Sequence, residues 1–258
     1  MTMAAPDFRL HGKTVVVTGA SRGIGAACAL ACAQAGARTV VLVGRSRDDL
    51  AAVARRIERC GARASIAPCD VTSTASIRAA FDAVARVDVL VNSAGANRPE
   101  PFGSVEEETF DRLFALNVRG AFFATQAAVR AMRGTDDRPA RPGTVIMMSS
   151  QMGHVGAAHR SVYCATKHAI EGLTRALAVE LAPEGIRVVS IAPTFVRTAM
   201  TAAQLDDRGV GPALLAQIPL GRFGTVEEIA GAVVYAASPA AALMTGTSLV
   251  LDGGWTAR

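Results

Sequence analysis

"VTGASRGIGAACALA" occupies residues 17–31, where a run of β-branched residues, "KTVVVTG" (13–19), gives way to an alanine-rich segment. Its glycines are spaced Gly19-x-x-x-Gly23-x-Gly25. Glycine at such a turn lets the chain reverse sharply, lets backbone N–H groups approach a pyrophosphate, and lets the following helix pack closely on the strand. Three glycines at the first strand-to-helix turn predict a phosphate-binding loop, formed by Gly19, Ser21, Arg22, Gly23, Ile24 and Gly25.

Outward from that loop, short apolar runs alternate with longer segments of helical period. The strand candidates are 13–19, 38–44, 64–70, 87–93, 143–150, 186–193 and 247–254. They are apolar throughout rather than alternating, which predicts strands covered on both faces. Gly36 and Gly61 follow periodic segments as C-terminal stops, and Ser104 with Glu107 and Thr225 with Glu228 have capping-box spacing. The β-α repeat predicts an α/β fold: a doubly wound parallel sheet of about seven strands with helices on both faces. Without a composition shift or long linker, residues 1–258 are expected to form a single domain. Two stretches interrupt the rhythm. "RGTDDRPARPG" (133–143) reads as a solvent-exposed connection, and 199–220, in the segment after the sixth strand, reads either as a substrate lid or as a plain excursion loop.

Half of the residues are hydrophobic and 19% are charged, which excludes bulk disorder. The N-terminus lacks a signal-like apolar core and no apolar run approaches membrane-span length, so the expectation is a cytoplasmic protein without membrane partners. Five cysteines, an odd count without a CxxC pair, argue against a disulfide framework, and Cys28 and Cys32 read as buried packing rather than metal ligands. No metal is expected. The net charge of +5 comes from arginines scattered among acids, so no nucleic-acid groove is expected.

"SVYCATKHA" (161–169) sets Tyr163 and Lys167 four residues apart, on one face if the segment is helical. A phenol of ordinary pKa near ~10 is a poor acid-base group at neutral pH unless nearby positive charge favours its ionised form, and Lys167 supplies such a charge.

These motifs, in this order, resemble those of the short-chain dehydrogenase/reductase family over nearly the whole chain. The glycine loop is similar to the family's TGxxxGIG, and Asn92-Ser93-Ala94-Gly95 to its NNAG, with serine at the second position. Asn117 in "ALNVRG" matches the central-helix asparagine, Ser150 lies thirteen residues before Tyr163, and Tyr163-x-x-x-Lys167 is the family's YxxxK. "IAPTFVRT" (191–198) resembles PGxxxT, with Thr194 in place of glycine and a threonine's resistance to positive φ at that point. The resemblance implies a Rossmann-type fold and a catalytic set of Asn117, Ser150, Tyr163 and Lys167. Tyr163 would exchange a proton with the substrate oxygen, and Ser150 would hydrogen-bond that oxygen. Lys167 would bind the nicotinamide ribose, and Asn117 would hold a relay water. It further implies cofactor contacts from Asp70, Val71, Asn92, Ala94, Gly95, Pro193, Val196 and Thr198. Asp70 reads equally well as a helix cap.

An NAD-selective chain places an acid at the end of the second strand; here Gly44 is followed by Arg45, and the loop adds Arg22. Two guanidiniums and no carboxylate suit a 2′-phosphate, so NADP(H) is the expected cofactor, with NAD(H) possible. The alternative is that Arg45 and Arg47 merely begin the next helix in solvent. "LDGGW" (251–255) resembles the tail that joins subunits in homotetrameric members, against an ordinary turn. The expected substrate is a small carbonyl or alcohol, a 3-oxoacyl thioester or a sugar or polyol ketone, with pocket candidates Asn97, Arg98, Gln151, Met152, His154 and Phe195. The alternative is a silent dinucleotide sensor on the same fold.

Overall fold

The computed structural model describes residues 5–133 and 142–257, so most of the polar connection expected at 133–143 lies outside the described residues. Seven strands form one sheet: β1 (Thr14–Thr18), β2 (Thr39–Gly44), β3 (Arg63–Pro68), β4 (Val89–Asn92), β5 (Thr144–Met148), β6 (Arg187–Pro193) and β7 (Ser248–Leu251). Their order is β3-β2-β1-β4-β5-β6-β7, and every neighbouring pair is parallel.

The apolar runs have a simple reason. Successive strand residues point to opposite faces, and both faces are covered. Val15 and Val17 enter a core with α1 (Gly23–Gln34), α2 (Arg47–Glu58) and α9 (Val226–Ala237). Val16, between them, enters a second core with α3 (Thr74–Asp82), α5 (Gly120–Arg133) and α6 (Ser161–Leu181). Cys28 and Cys32 lie in the first core as packing thiols, and burial pushes the Cys32 thiol up to about 12. The outermost strands depart from the expected two-sided cover. Arg63, Ser65 and Pro68 of β3 and Val250 of β7 are exposed, because an edge strand has a neighbour on one side only.

Gly36 (φ +90°) and Gly61 (φ +83°) follow α1 and α2 in the left-handed conformation that ends helices. Thr225 and Glu228 form a reciprocal capping box at the start of α9. Ser104 does not cap a helix. It closes a short 3₁₀ turn, Val105 is extended, and α4 (Glu107–Phe114) begins after Glu106 without a side-chain cap. Glu107 and Glu108 favour that first turn through the helix dipole instead.

The strand order reverses between β1 and β4, where open α/β sheets leave a ligand crevice. The crevice floor is closed by two contacts. The Thr18 hydroxyl accepts from the N–H groups of Ser93 and Ala94 at 3.2 Å each. Gly19 sits at φ +67°, and a Cβ on it would lie 2.8 Å from the Cα and N of Ala94. Gly19→Ala combines a disfavoured φ with that collision, so a loss of about 2–3 kcal/mol is expected from the midpoint of urea unfolding. An unchanged midpoint would contradict this account of the crevice.

Candidate active site

The glycine loop begins where β1 ends. Gly25 packs so closely on the Gly19 carbonyl that a Cβ would collide with it, and Gly23 (φ +56°) lies against Thr198, whose Cγ2 would be 3.8 Å from a Cβ there. The tight turn therefore brings bare backbone to the N-terminus of α1, where N–H groups and the helix dipole favour anionic phosphate. Arg22, exposed, is the residue ahead of α1 and its side chain caps nothing. Arg45, also exposed, follows the last residue of β2. Among the described residues neither forms an ion pair with a carboxylate. A glycine cradle beside two guanidiniums without a bridging carboxylate, one of them close enough for its charge to act on Asp70, suits the phosphates of a dinucleotide.

Of the remaining residues expected at the cofactor, several hold the crevice together. Asn92 turns its amide nitrogen to Thr125 Oγ1 (2.8 Å) on α5 and to the Ala121 carbonyl (3.4 Å), so its side chain braces β4 against the helix. Asp70 Oδ1 accepts from the N–H (3.0 Å) and hydroxyl (2.8 Å) of Thr72, and these bonds hold its carboxyl below the usual range. This is a local turn and not the helix cap that the sequence offered as the alternative, because Ser73 caps α3 by accepting from the Ser76 N–H at 3.2 Å; Asp70 Oδ2 is not used by the turn. Val71 is buried with its carbonyl against Gly120. Pro193 ends β6 and Val196 bridges Gly224. Thr198 pairs with Thr201, and Thr194 does not adopt a positive φ, so threonine stands there without backbone strain.

Asn117 lies in a π-helical turn (Ala115–Arg119) between α4 and α5, a local widening frequently found at functional sites. Its side chain exchanges two 2.9 Å hydrogen bonds with the backbone of Ala96 and donates to Thr166 Oγ1 on α6 at 3.1 Å. It thus ties the loop after β4 to α6. Gly95 borders both groups of interest, since a Cβ on it would lie 3.2 Å from Asn117 Oδ1 and 3.9 Å from Lys167 Nζ.

Ser150 follows β5 in an extended conformation, accepts from the Met152 N–H (3.2 Å) and donates to the Pro193 carbonyl (3.5 Å). Tyr163 and Lys167 emerge from the first two turns of α6, with Lys167 Nζ 5.6 Å from the Tyr163 ring centroid. Burial raises the Tyr163 phenol above its usual range, opposed by a hydrogen bond with Ser150 and by the charge of Arg160. Burial also lowers the Lys167 ammonium to about 8. The sequence pattern points to Lys167 as the charge acting on the phenol. In the structure Lys167 donates to the Met148 carbonyl at 2.7 Å, and the neighbouring charge that favours the ionised phenol is Arg160.

Glu171, buried one turn beyond Lys167, opposes the loss of the lysine's proton. Its carboxylate accepts from Ser190 Oγ (3.0 and 2.9 Å) and from Ser248 Oγ (3.3 Å), and it lies 3.4 Å from His154 Nε2. The sequence reading missed Glu171 and Thr18. The i, i+4, i+8 spacing of Tyr163, Lys167 and Glu171 carried a signal for the first, whereas the partners of Thr18 lie 75 and 76 positions away. Of the pocket candidates, Arg98 is paired with Glu100 at 2.6 Å and His154 with Ser248 at 3.1 Å, Met152 is buried, and Phe195 packs on Trp255 with centroids 5.6 Å apart. Asp252 caps the terminal turn through Gly254 and Thr256. Among the described residues no three His, Cys, Asp or Glu side chains gather as a metal site, and no helix is long and apolar enough to cross a membrane.

A crevice with a hydroxyl and a phenol at one wall and a glycine turn at the other suits redox exchange with a nicotinamide, and known proteins place the chain in that class. A family model for enoyl-(acyl carrier protein) reductase matches residues 19–256. The D-threitol dehydrogenase of Mycolicibacterium smegmatis is 41% identical over 256 residues, 98% of this chain and 96% of that protein. The L-xylulose reductase of Bos taurus is 36% identical, covering 97% of this chain and 99% of that protein. The crystal structure of a gluconate 5-dehydrogenase from Burkholderia cenocepacia, in complex with NADP and tartrate, superposes with a TM-score of 0.91 at 34% identity, covering 98% of both chains. The chain belongs to the short-chain dehydrogenase/reductase family. It is an NAD(P)-dependent oxidoreductase that moves a hydride between the nicotinamide and a ketone or secondary alcohol.

Because the Lys167 ammonium is charged below about 8 and neutral above it, kcat/KM for ketone reduction is expected to hold through neutral pH and fall as pH rises past that value. Glu171→Gln removes a charge that retains the proton, so the fall should begin at lower pH. A variant profile superposable on that of the native enzyme would contradict this reading.

Proposed function

We propose that the protein reduces a small polyhydroxy ketone with NADPH, using Tyr163 as proton donor. The observation that carries the substrate class is a set of buried polar atoms without hydrogen-bond partners at the C-terminal ends of adjacent strands. They are Asn92 Oδ1 on β4 and Asn97 Oδ1 beyond it, Ser149 Oγ and both amide atoms of Gln151 after β5, and Thr194 Oγ1 after β6. An unpaired buried polar group costs about 1–3 kcal/mol, so these atoms call for hydroxyl-bearing ligand rather than an acyl chain. The named activities of the threitol dehydrogenase and xylulose reductase relatives agree with that preference.

Lys167 holds the ribose while Ser150 and Tyr163 engage one substrate oxygen, Ser150 stabilising charge as it develops there. Bound nicotinamide supplies the hydride and, once oxidised, a positive charge. The phenol that burial keeps protonated at neutral pH is in the right form to give its proton to the forming alkoxide. Asn117 would fix the loop and helix about a proton path to Lys167.

NADP(H) preference rests on Arg22 and Arg45 and on the lack of an acid at the end of β2. Short helices α7 (Ala202–Leu205) and α8 (Val210–Leu215) support a lid over 199–220, with Met200 and Leu220 exposed upon it. Exposed Phe110 and Phe122 on α4 and α5 and Val250 on β7 support self-association into the family's tetramer. Five free thiols fit a reducing, cytoplasmic compartment.

The test is a turnover panel of neutral ketoses and 3-oxoacyl thioesters run with NADPH and NADH, beside cofactor titrations. Ketose reduction with NADPH preferred is expected, and Arg45→Gln should weaken NADPH at least tenfold while changing NADH less than threefold. Thioesters turned over in preference to ketoses, or equal losses for both cofactors, would contradict the proposal.

A further inference from the structure

Arg160, the residue ahead of α6 and three before Tyr163, is 6% exposed. Its guanidinium lies over the Phe195 ring, Cζ 5.9 Å from the centroid, and Nη2 donates to Gln204 Oε1 on α7 at 3.2 Å. Nη1 is buried without a partner, and among the described residues no carboxylate pairs with the group. The neighbouring arginine on the loop after β4, Arg98, is already neutralised by Glu100. A guanidinium out of water without a counter-charge is costly, and it becomes favourable when an anion takes its free donor.

The Arg160 guanidinium meets segments expected on the substrate side of the crevice. Phe195 follows β6, Gln204 lies within 199–220, and the charge of Arg160 acts on the Tyr163 phenol itself. His159, which precedes it, is the one non-glycine residue at positive φ (61°) among the described residues, and its carbonyl accepts from the Glu100 N–H at 2.9 Å. Such locally strained backbone concentrates at ligand sites.

We propose that Arg160 recognises a terminal carboxylate on the substrate, so that the enzyme prefers a keto acid of the polyhydroxy series and its hydroxy acid to the neutral ketoses it also reduces. The inference rests on the polyhydroxy-ketone reading above. A single positive charge with one free donor nitrogen matches a carboxylate, and a phosphate dianion would leave one charge unanswered in this wall. The bound carboxylate lies toward Gln204 and Phe195, and the carbonyl to be reduced lies toward Ser150 and Tyr163.

The test compares D-gluconate with D-glucitol, which differ only at the terminal carbon, by calorimetric titration into enzyme saturated with NADPH, where reduced cofactor and alcohol form a dead-end complex. Gluconate should bind at least tenfold more tightly. Arg160→Gln should weaken gluconate ten- to hundredfold and glucitol less than threefold, and Arg160→Lys, which keeps the charge, should fall between. Thermal midpoints of the variants separate recognition from loss of fold. Equal affinities in the native enzyme, or equal changes for both ligands in Arg160→Gln, would overturn the role of Arg160 while leaving the polyhydroxy reading standing. Binding of neither ligand, with ketoses also unreduced, would remove that reading and this one with it.

Discussion

The closure of the β1–β4 crevice by Thr18 and Gly19 is the constraint on which the site depends. Two N–H groups of the chain leaving β4 are satisfied by a hydroxyl on β1, and the backbone of Ala94 approaches so near that only glycine fits opposite. Together with the β1–β4 ladder, which pairs Thr18 with Asn92, this approach fixes the spacing of the glycine loop and the loop carrying Gly95. Gly95 in turn borders Asn117 and Lys167, so the switch point of the sheet brings the glycine loop and the ammonium into one crevice.

From there α6 presents three titratable groups along a single face. Tyr163, Lys167 and Glu171 descend at i, i+4 and i+8, and burial acts on the first two in opposite senses, raising the phenol and lowering the ammonium. Both shifts favour the neutral form. What restores charge to Lys167 is Glu171, itself held by Ser190 of β6 and Ser248 of β7, so the edge of the sheet contributes to the electrostatics of the centre. Arg160 acts on the phenol from the other end of the helix.

What the sequence made legible was whatever local chemistry requires. Glycines at a strand-to-helix turn, apolar strands covered on both faces, Thr225 with Glu228, and Tyr163 four residues before Lys167 each report their structure within a few positions. Ser104 with Glu107 had the same local spacing and failed, because extended Val105 separates the serine from the helix that acidic residues begin. Thr18, Glu171 and Arg160 were not singled out, since their meaning comes from partners 19 to 77 positions away, or from the absence of a partner, which no spacing records. Asn92 and Asp70 were legible as members of the crevice, while their contacts to Thr125 and Thr72 had to be seen.

The central claim is that hydride transfer takes place at Ser150 and Tyr163 with the phenol as proton donor. The most direct measurement follows deuterium from NADPH deuterated at the nicotinamide C4 into the carbinol carbon of the product by mass spectrometry, for native enzyme and for Tyr163→Phe. The account predicts deuterated alcohol from the native enzyme and a loss of at least a hundredfold in its rate of formation in the variant, with NADPH affinity retained. Formation of deuterated alcohol by Tyr163→Phe at the native rate would contradict it.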